Sequence, residues 1–387
     1  GGRPLPPGPH RRLVLALAIG ALSVLPVSPA LASGGTGNTE SPEPAGGDLP
    51  YQIQEVAPGV WAALQPAALR FHDSNSLVIE TDRGMVVVDS QSDPAKVRLL
   101  ASEIRRRTGQ KVRFVVSTHW HGDHTQGNAV YREVFGEDVR FLAHSTWWRD
   151  VRDRGLPQLT EELDATRAAI TRVKQRLASG RTEDGGEMSE EETADLAAGI
   201  ARAEERVERL ATLDIPPPTL TFTDRLTLHL TWQGEPRPIR LIHLRGHTRG
   251  DVVVHLPTER LLATGDLLDD LPFGGHGYPE EWIHALDTLD ALDFETVVPG
   301  HGSVQEGRRQ LERVRTLLSE IVTRAKTAVR RGEGPETAKE TAMASEAMRA
   351  LREGFVGDDP LAGRAFDAFV PATFERAYLE VKGELPD

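Results

Sequence analysis

Short runs of β-branched and aliphatic residues recur along this chain, and several stop at a small residue beside a histidine or aspartate. "RFVVST" leads into "HWHGDH" (His119, His121, Asp123, His124), "IRLIHLRG" into His247, "RLLATG" into Asp266 and "ETVVPG" into His301. Such runs read as strands, and the polar residues fall on the loops that follow them. In layered α/β folds, loops at strand ends converge to form a site. One such ending means little. Four of them point to one site assembled from distant parts of the chain.

Five histidines and two aspartates make seven donors, enough for two divalent ions with positions left for water. Imidazole nitrogen and carboxylate oxygen suit zinc, and the chain has no cysteine to offer a thiolate. His119 and His121 alternate on a turn and can share one ion, while Asp123 and His124 can serve a second. Gly122, Gly246 and Gly300 each adjoin a donor, where the backbone must bend closely around an ion.

The surrounding organisation is mixed α and β. "GVWAAL", "NSLVIET", "GMVVVDS" and "VRFVVST" read as strands. Residues 93–109 read as a helix capped by Asp93, with Pro94 in the first turn and Gly109 at the end. Residues 156–213 carry apolar positions three and four apart on either side of "SGRTEDGGEMS", a charged helical hairpin inserted in the fold. Ser189 and Glu192 form a capping box for its second helix. Strands resume from "LTFTDRLTLHL", a helix spans 279–292, and 306–387 is a helical extension whose first helix covers about 306–331.

The N-terminus reads as an export signal. Arg11 and Arg12 precede an apolar run, and Ala30-Leu31-Ala32 is a small-x-small cleavage pattern, so residues 1–32 form a signal peptide and 33–50 a disordered linker. The expected location is periplasmic or extracellular, without a stable membrane anchor. The net charge of −13 argues against nucleic acid as a partner. The absence of cysteine excludes disulfides and a cysteine nucleophile.

These residues resemble the metallo-β-lactamase superfamily. Its marks are the H-x-H-x-D-H loop ("HWHGDH"), a later "GHT" (246–248), "TGD" (264–266) and "PGHG" (299–302), here in that order across residues 51–305. The resemblance implies a four-layer αββα sandwich. It implies one ion on His119, His121 and His247, a second on Asp123, His124 and His301, and Asp266 as the bridge. Asp89, in "VVVDS", corresponds to the family's aspartate behind the ligands. The cofactor expected is a pair of zinc ions, with other divalent metals able to substitute. Antibiotic-hydrolysing members carry cysteine in one subclass, and serine in another, where this chain has Asp266. Di-iron members carry glutamate at the place of His121.

The expected function is zinc-dependent hydrolysis, with metal-activated hydroxide cleaving a small carbonyl substrate: a lactone, ester, thioester or β-lactam amide. Asp123 is the candidate proton shuttle. His276 and Tyr278, in "FGGHGYP", are candidates for binding substrate. Phosphodiester or sulfate-ester hydrolysis on the same ions is the alternative, and Arg245 and Arg249 beside His247 keep it open. A non-catalytic exported metal-binding protein is a third reading. The helical insertion could serve an oligomer contact.

Overall fold

The computed structural model describes residues 49–385, so the export signal and nearly all of the linker lie outside the described residues. Two units are distinguished: Arg154–Leu213, and Pro50–Asp153 with Asp214–Asp387.

The larger unit is built on two sheets. The first runs in chain order: β1 (Gln52–Ala57), β2 (Val60–Leu64), β3 (Ser76–Ile79), β4 (Met85–Val88), β5 (Val112–Val116), β6 (Arg140–His144) and β7 (Leu220–Phe222). The second contains β8 (Arg225–Trp232), β9 (Glu235–His243), β10 (Val252–Leu256), β11 (Leu261–Gly265), β12 (Thr296–Pro299) and β13 (Gln305–Glu306), in reverse spatial order. Strands β2, β3, β4, β10 and β11 are buried at every position, which is why they read as continuous apolar runs rather than alternating ones. Val60, Ala62, Leu77, Val86 and Val88 of one sheet pack against Ile239, Leu241, Val254, Leu261 and Val298 of the other. The sheets therefore share one apolar core.

Helices cover the outer faces. On the first sheet lie α1 (Pro94–Thr108) and α3 (Asn128–Phe135), with the single-turn helices α2 (Gly122–Thr125) and α4 (Trp147–Asp150) in its loops. Asp93 caps α1 by accepting from the Ala95 N–H at 2.9 Å, and Gly109 ends it at φ 66°, a left-handed conformation that favours glycine. On the second sheet, α7 (Pro279–Asp290) and α8 (Arg309–Arg330) bury Trp282, Leu286, Leu311, Val314 and Leu318. The chain ends in α9 (Pro335–Met343), α10 (Glu346–Val356) and α11 (Pro360–Lys382), which pack on α8 through Ile321, Phe366, Val370 and Phe374. This is the four-layer sandwich with a helical C-terminal extension. The extension is not wholly helical at its start, because Gln305–Glu306 pairs with β12 as a short strand.

The smaller unit is a helical hairpin of α5 (Leu156–Ser179) and α6 (Glu190–Ala211). Leu159, Leu163 and Ile170 share a core with Ile200, Val207 and Leu210. Both bonds of the Ser189–Glu192 capping box are present. Among the described residues, no helix is long and apolar enough to cross a membrane.

Strands β4 and β5 run parallel, as do β11 and β12. Their C-terminal ends carry Asp89, the 117–124 loop, Asp266 and His301, and the β9–β10 loop carries His247. Burial between the two sheets makes Leu241→Ala costly, by about 2–5 kcal/mol. Urea denaturation of the metal-free protein should show this as a lowered midpoint, with an unchanged folded-state spectrum.

Candidate metal centre

Two groups of donors form where these strand ends meet. One atom each from His119, His121, His247 and Asp266 lie within 4.8 Å of one another, and so do atoms of Asp123, His124 and His301. A third grouping, Asp266, Asp269 and His301, overlaps both. Asp266 Oδ2 stands 3.2 Å from His247 Nε2 and 3.7 Å from His119 Nε2. Its Oδ1 stands 3.1 Å from His124 Nε2. His301 Nε2 is 3.0 Å from Asp123 Oδ2. One carboxylate thus faces both groups.

The outer nitrogens of His119, His121, His124 and His247 are committed elsewhere, which leaves their inner ones facing the centre. Thr118 Oγ1 donates to Asp89 Oδ2 at 2.8 Å, so it accepts from His119 Nδ1 at 3.0 Å. His247 Nδ1 donates to the Phe273 carbonyl at 2.6 Å, and His124 Nδ1 lies 2.8 Å from Asp89 Oδ2. His121 is turned the other way: its Nε2 meets His276 Nδ1 at 2.8 Å. Nε2 of His119 and of His247 each then sit 3.0 Å from His121 Nδ1. The partners of His119 and His247 place the proton of each ring on Nδ1 and leave a lone pair on each Nε2, facing His121 Nδ1.

That arrangement fits a cation. Donors around a tetrahedral zinc lie roughly 3.3 Å apart, close to the spacings here. His124 Nε2 and Asp266 Oδ1 are buried and near each other, yet neither makes a hydrogen bond. Buried polar atoms left this way are costly unless a third body satisfies them. Gly300 allows the approach, since a Cβ there would stand 2.1 Å from Asp266 Oδ1. The same expectation does not hold for Gly122 and Gly246: a Cβ on Gly122 would meet the Gln126 side chain at 2.4 Å, and one on Gly246 the Leu267 side chain at 2.6 Å, not the donors.

Electrostatics divide the two groups. Burial, and then neighbouring imidazoles, hold His119 and His121 well below the ordinary histidine range. Burial also lowers His247, against the pull of Asp266. Burial opposes charge on His301 as well, but Asp266, Asp123 and Asp269 outweigh it and push the ring up to about 10. His124 is raised in the same way, with Asp266, Asp123 and Asp89 overcoming burial. In the metal-free protein, protons on these two rings stand in for a cation.

Several residues support the donors from behind, Asp89 as the resemblance implies and others that carry no motif of their own. Asp89 adopts φ 60°, a strained conformation for a residue with a side chain. It is held there by accepting from the Thr118 N–H and hydroxyl as well as facing His124. Asp251 ties down the His247 turn by accepting from the Thr248 N–H and hydroxyl. Burial pushes its carboxyl up to about 8 against those bonds. Asp269 accepts from the His301 N–H at 2.8 Å. Trp147 Nε1 donates to the His119 carbonyl at 2.8 Å.

His276 lies behind His121, and its ring is 5.1 Å from that of Trp120. Tyr278 is 2% exposed, and the Arg245 guanidinium lies 3.8 Å over its ring. His144 stacks on His243 at 3.8 Å, outside both donor groups. Arg249 pairs with Asp150, and Arg245 with Glu281.

The 269–278 loop rests on α11. Thr373 Oγ1 accepts from the Gly274 N–H and the Gly277 carbonyl accepts from Arg376, each at 2.9 Å. The Phe369 ring meets Phe273 at 5.1 Å. Since Phe273 orients His247 and His276 contacts His121, α11 supports the first donor group from behind.

A fold of this kind, with clustered histidines and aspartates at strand ends, defines a class of metal-centred α/β sandwich. A sequence model of the metallo-beta-lactamase superfamily matches residues 69–301, and the chain belongs to that superfamily. It is 25% identical over 256 residues to the linear primary-alkylsulfatase of Pseudomonas sp. (strain ATCC 19151), covering 63% of this chain and 44% of that protein. It is also 25% identical over 238 residues to the metallo-beta-lactamase type 2 of Bacillus cereus, covering 60% and 68%. The solved sec-alkylsulfatase Pisa1 from Pseudomonas sp. superposes with a TM-score of 0.55 at 16% identity, over 85% of this chain and 50% of that one. The chain thus spans about half the length of these alkylsulfatases.

Two outcomes follow from the donor geometry. Gly300→Ala should weaken zinc binding by at least about tenfold in chelator competition, because the new methyl group displaces Asp266. Loading the metal-free protein at pH 8 in weak buffer should release roughly two protons, from His124 and His301, because a ligating imidazole must be neutral. Dye-monitored zinc titration reads this directly, and binding without proton release would contradict the charge assignment.

Proposed function

We propose that the chain is a metal-dependent hydrolase working through two divalent ions, most suitably zinc, that share Asp266. The observation that carries this is the convergence of seven inward-facing N and O donors in two groups on one carboxylate. Ions bound there supply Lewis acidity and lower the pKa of water toward neutrality.

The chain's own residues do the rest. The Asp123 side chain is 24% exposed, against 9% for His301, 6% for Asp266 and 1% or less for His119, His124 and His247. Burial resists its ionisation, but His124 and His301 hold its carboxyl well below the ordinary range. It is therefore an ionised group at the open side, suited to take the proton from attacking water and return it to the leaving group. Trp120 is 3% exposed and its ring lies 4.4 Å from His121, so an apolar wall shields that side of the group.

A small carbonyl ester, lactone, thioester or β-lactam is the first substrate class this supports, because such a centre suits attack on a polarised carbonyl. A sulfate ester is the second, favoured by the similarity to a protein named as a linear primary-alkylsulfatase. The leader pattern in residues 11–32 supports action outside the cytoplasm.

Proton release in a pH-stat tests the proposal, with one lactone, one thioester, one carboxylic ester, one β-lactam, one phosphodiester and one primary alkyl sulfate. Zinc-loaded protein should act on one class and chelator-stripped protein on none. Asp123→Asn should lower kcat by about 10²-fold or more. Equal turnover with and without metal would overturn the reading.

A further inference from the structure

Residues 273–276 reach two ligands of the same donor group. The Phe273 carbonyl accepts from His247 Nδ1 at 2.6 Å, and His276 Nδ1 meets His121 Nε2 at 2.8 Å. His247 and His121 both belong to the group with His119 and Asp266, and their facing nitrogens stand 3.0 Å apart. One short segment therefore grips two of that group's three histidines by their outer nitrogens. The other group depends on different residues: Asp89 faces His124, and Asp269 accepts from the His301 N–H.

The grip is held from both ends. The Gly277 N–H donates to the Gly274 carbonyl at 2.9 Å, which closes a turn around His276. The Tyr278 N–H donates to the Gly246 carbonyl at 2.7 Å, beside His247. A Cβ on Gly277 would stand 3.0 Å from that same carbonyl oxygen, so the turn fits closely only with glycine. From α11, Thr373 Oγ1 accepts from the Gly274 N–H and Arg376 donates to the Gly277 carbonyl. The half-buried His276 ring is flanked by Trp120, at 5.1 Å, and Phe273, at 6.0 Å.

The choice of nitrogen gives His276 a task. His119 and His247 face the centre through Nε2, but His121 faces it through Nδ1. To offer Nδ1 to a cation, His121 must carry its proton on Nε2, and that N–H needs an acceptor. His276 Nδ1 is in place to accept it. We propose that His276 is a positioning residue that fixes His121 in this tautomer. Thr373 of α11 holds His276 in place, so the C-terminal extension governs loading of the ion on His119, His121 and His247 and leaves the other ion alone. This gives His276 a part behind the ligand in place of a contact with substrate. It also gives a task to a helix lying beyond residues 69–301, where the superfamily model ends. The assignment rests on the two-ion reading above, and not on hydrolysis.

The test is zinc titration of the metal-free full chain against a competing chelator, with two binding steps resolved. His276→Phe keeps an aromatic ring between Trp120 and Phe273 and removes the acceptor. It should weaken one step by about tenfold or more and leave the other unchanged. Anomalous scattering at the zinc edge should then show the peak on His119, His121 and His247 fading and the peak on Asp123, His124 and His301 kept. His276→Gln, whose side-chain oxygen can accept, should recover part of the loss. Thr373→Val keeps the shape of the brace without its acceptor, and should weaken the same step by a smaller factor, about threefold. It tests the brace even where His276→Phe lowers the stability of the fold. Equal weakening of both steps, weakening of neither, or no recovery in His276→Gln would overturn the assignment. A chain that binds no zinc would overturn the two-ion reading and the assignment together. Zinc steps that respond as described, in a chain that hydrolyses nothing, would overturn the hydrolase reading and support the assignment.

Discussion

One buried carboxylate organises this protein. Asp266 is 6% exposed, and its two oxygens face His247 and His119 on one side and His124 on the other. Burial would raise its pKa, but His124, His301 and His247 hold it below the ordinary carboxylate range. Such a group needs compensating positive charge, from protons in the metal-free protein or from cations when they bind. The positions of Gly300, His124 and the β11–β12 register are constrained by keeping this carboxylate within reach of both donor groups.

Around it, orientation is supplied in layers. Asp89, Thr118, Phe273 and His276 fix the outer edges of the imidazoles. Behind them, Asp251, Asp269 and Trp147 secure the backbone that carries the ligands. Helix α11 secures the 269–278 loop through Thr373 and Arg376. The extension is thus continuous with the site's support.

Much of this was legible in the sequence, for a physical reason. Strands β2, β3, β4, β10 and β11 are short apolar runs because they are buried on both faces. The donors stand out because polar residues past such runs have few structural uses. The Asp93 cap and the Ser189 box are local, so local spacing reveals them. What could not be read was non-local. Asp251 and Asp269 are ordinary aspartates until Thr248 and the His301 N–H are brought to them. The run "DLLDD" was the available hint for Asp269. Trp147 looks like half of an aromatic pair until its indole finds the His119 carbonyl. The extension's short strand also escaped notice, because two residues are too few to show a period.

The most direct test of the account is the position of bound metal in crystals of the zinc-loaded chain, located by anomalous scattering at the zinc edge. Two peaks about 3.5–4 Å apart are predicted, one on His119, His121 and His247 and one on Asp123, His124 and His301, with Asp266 between them. A single peak, or two peaks that do not share Asp266, would contradict it.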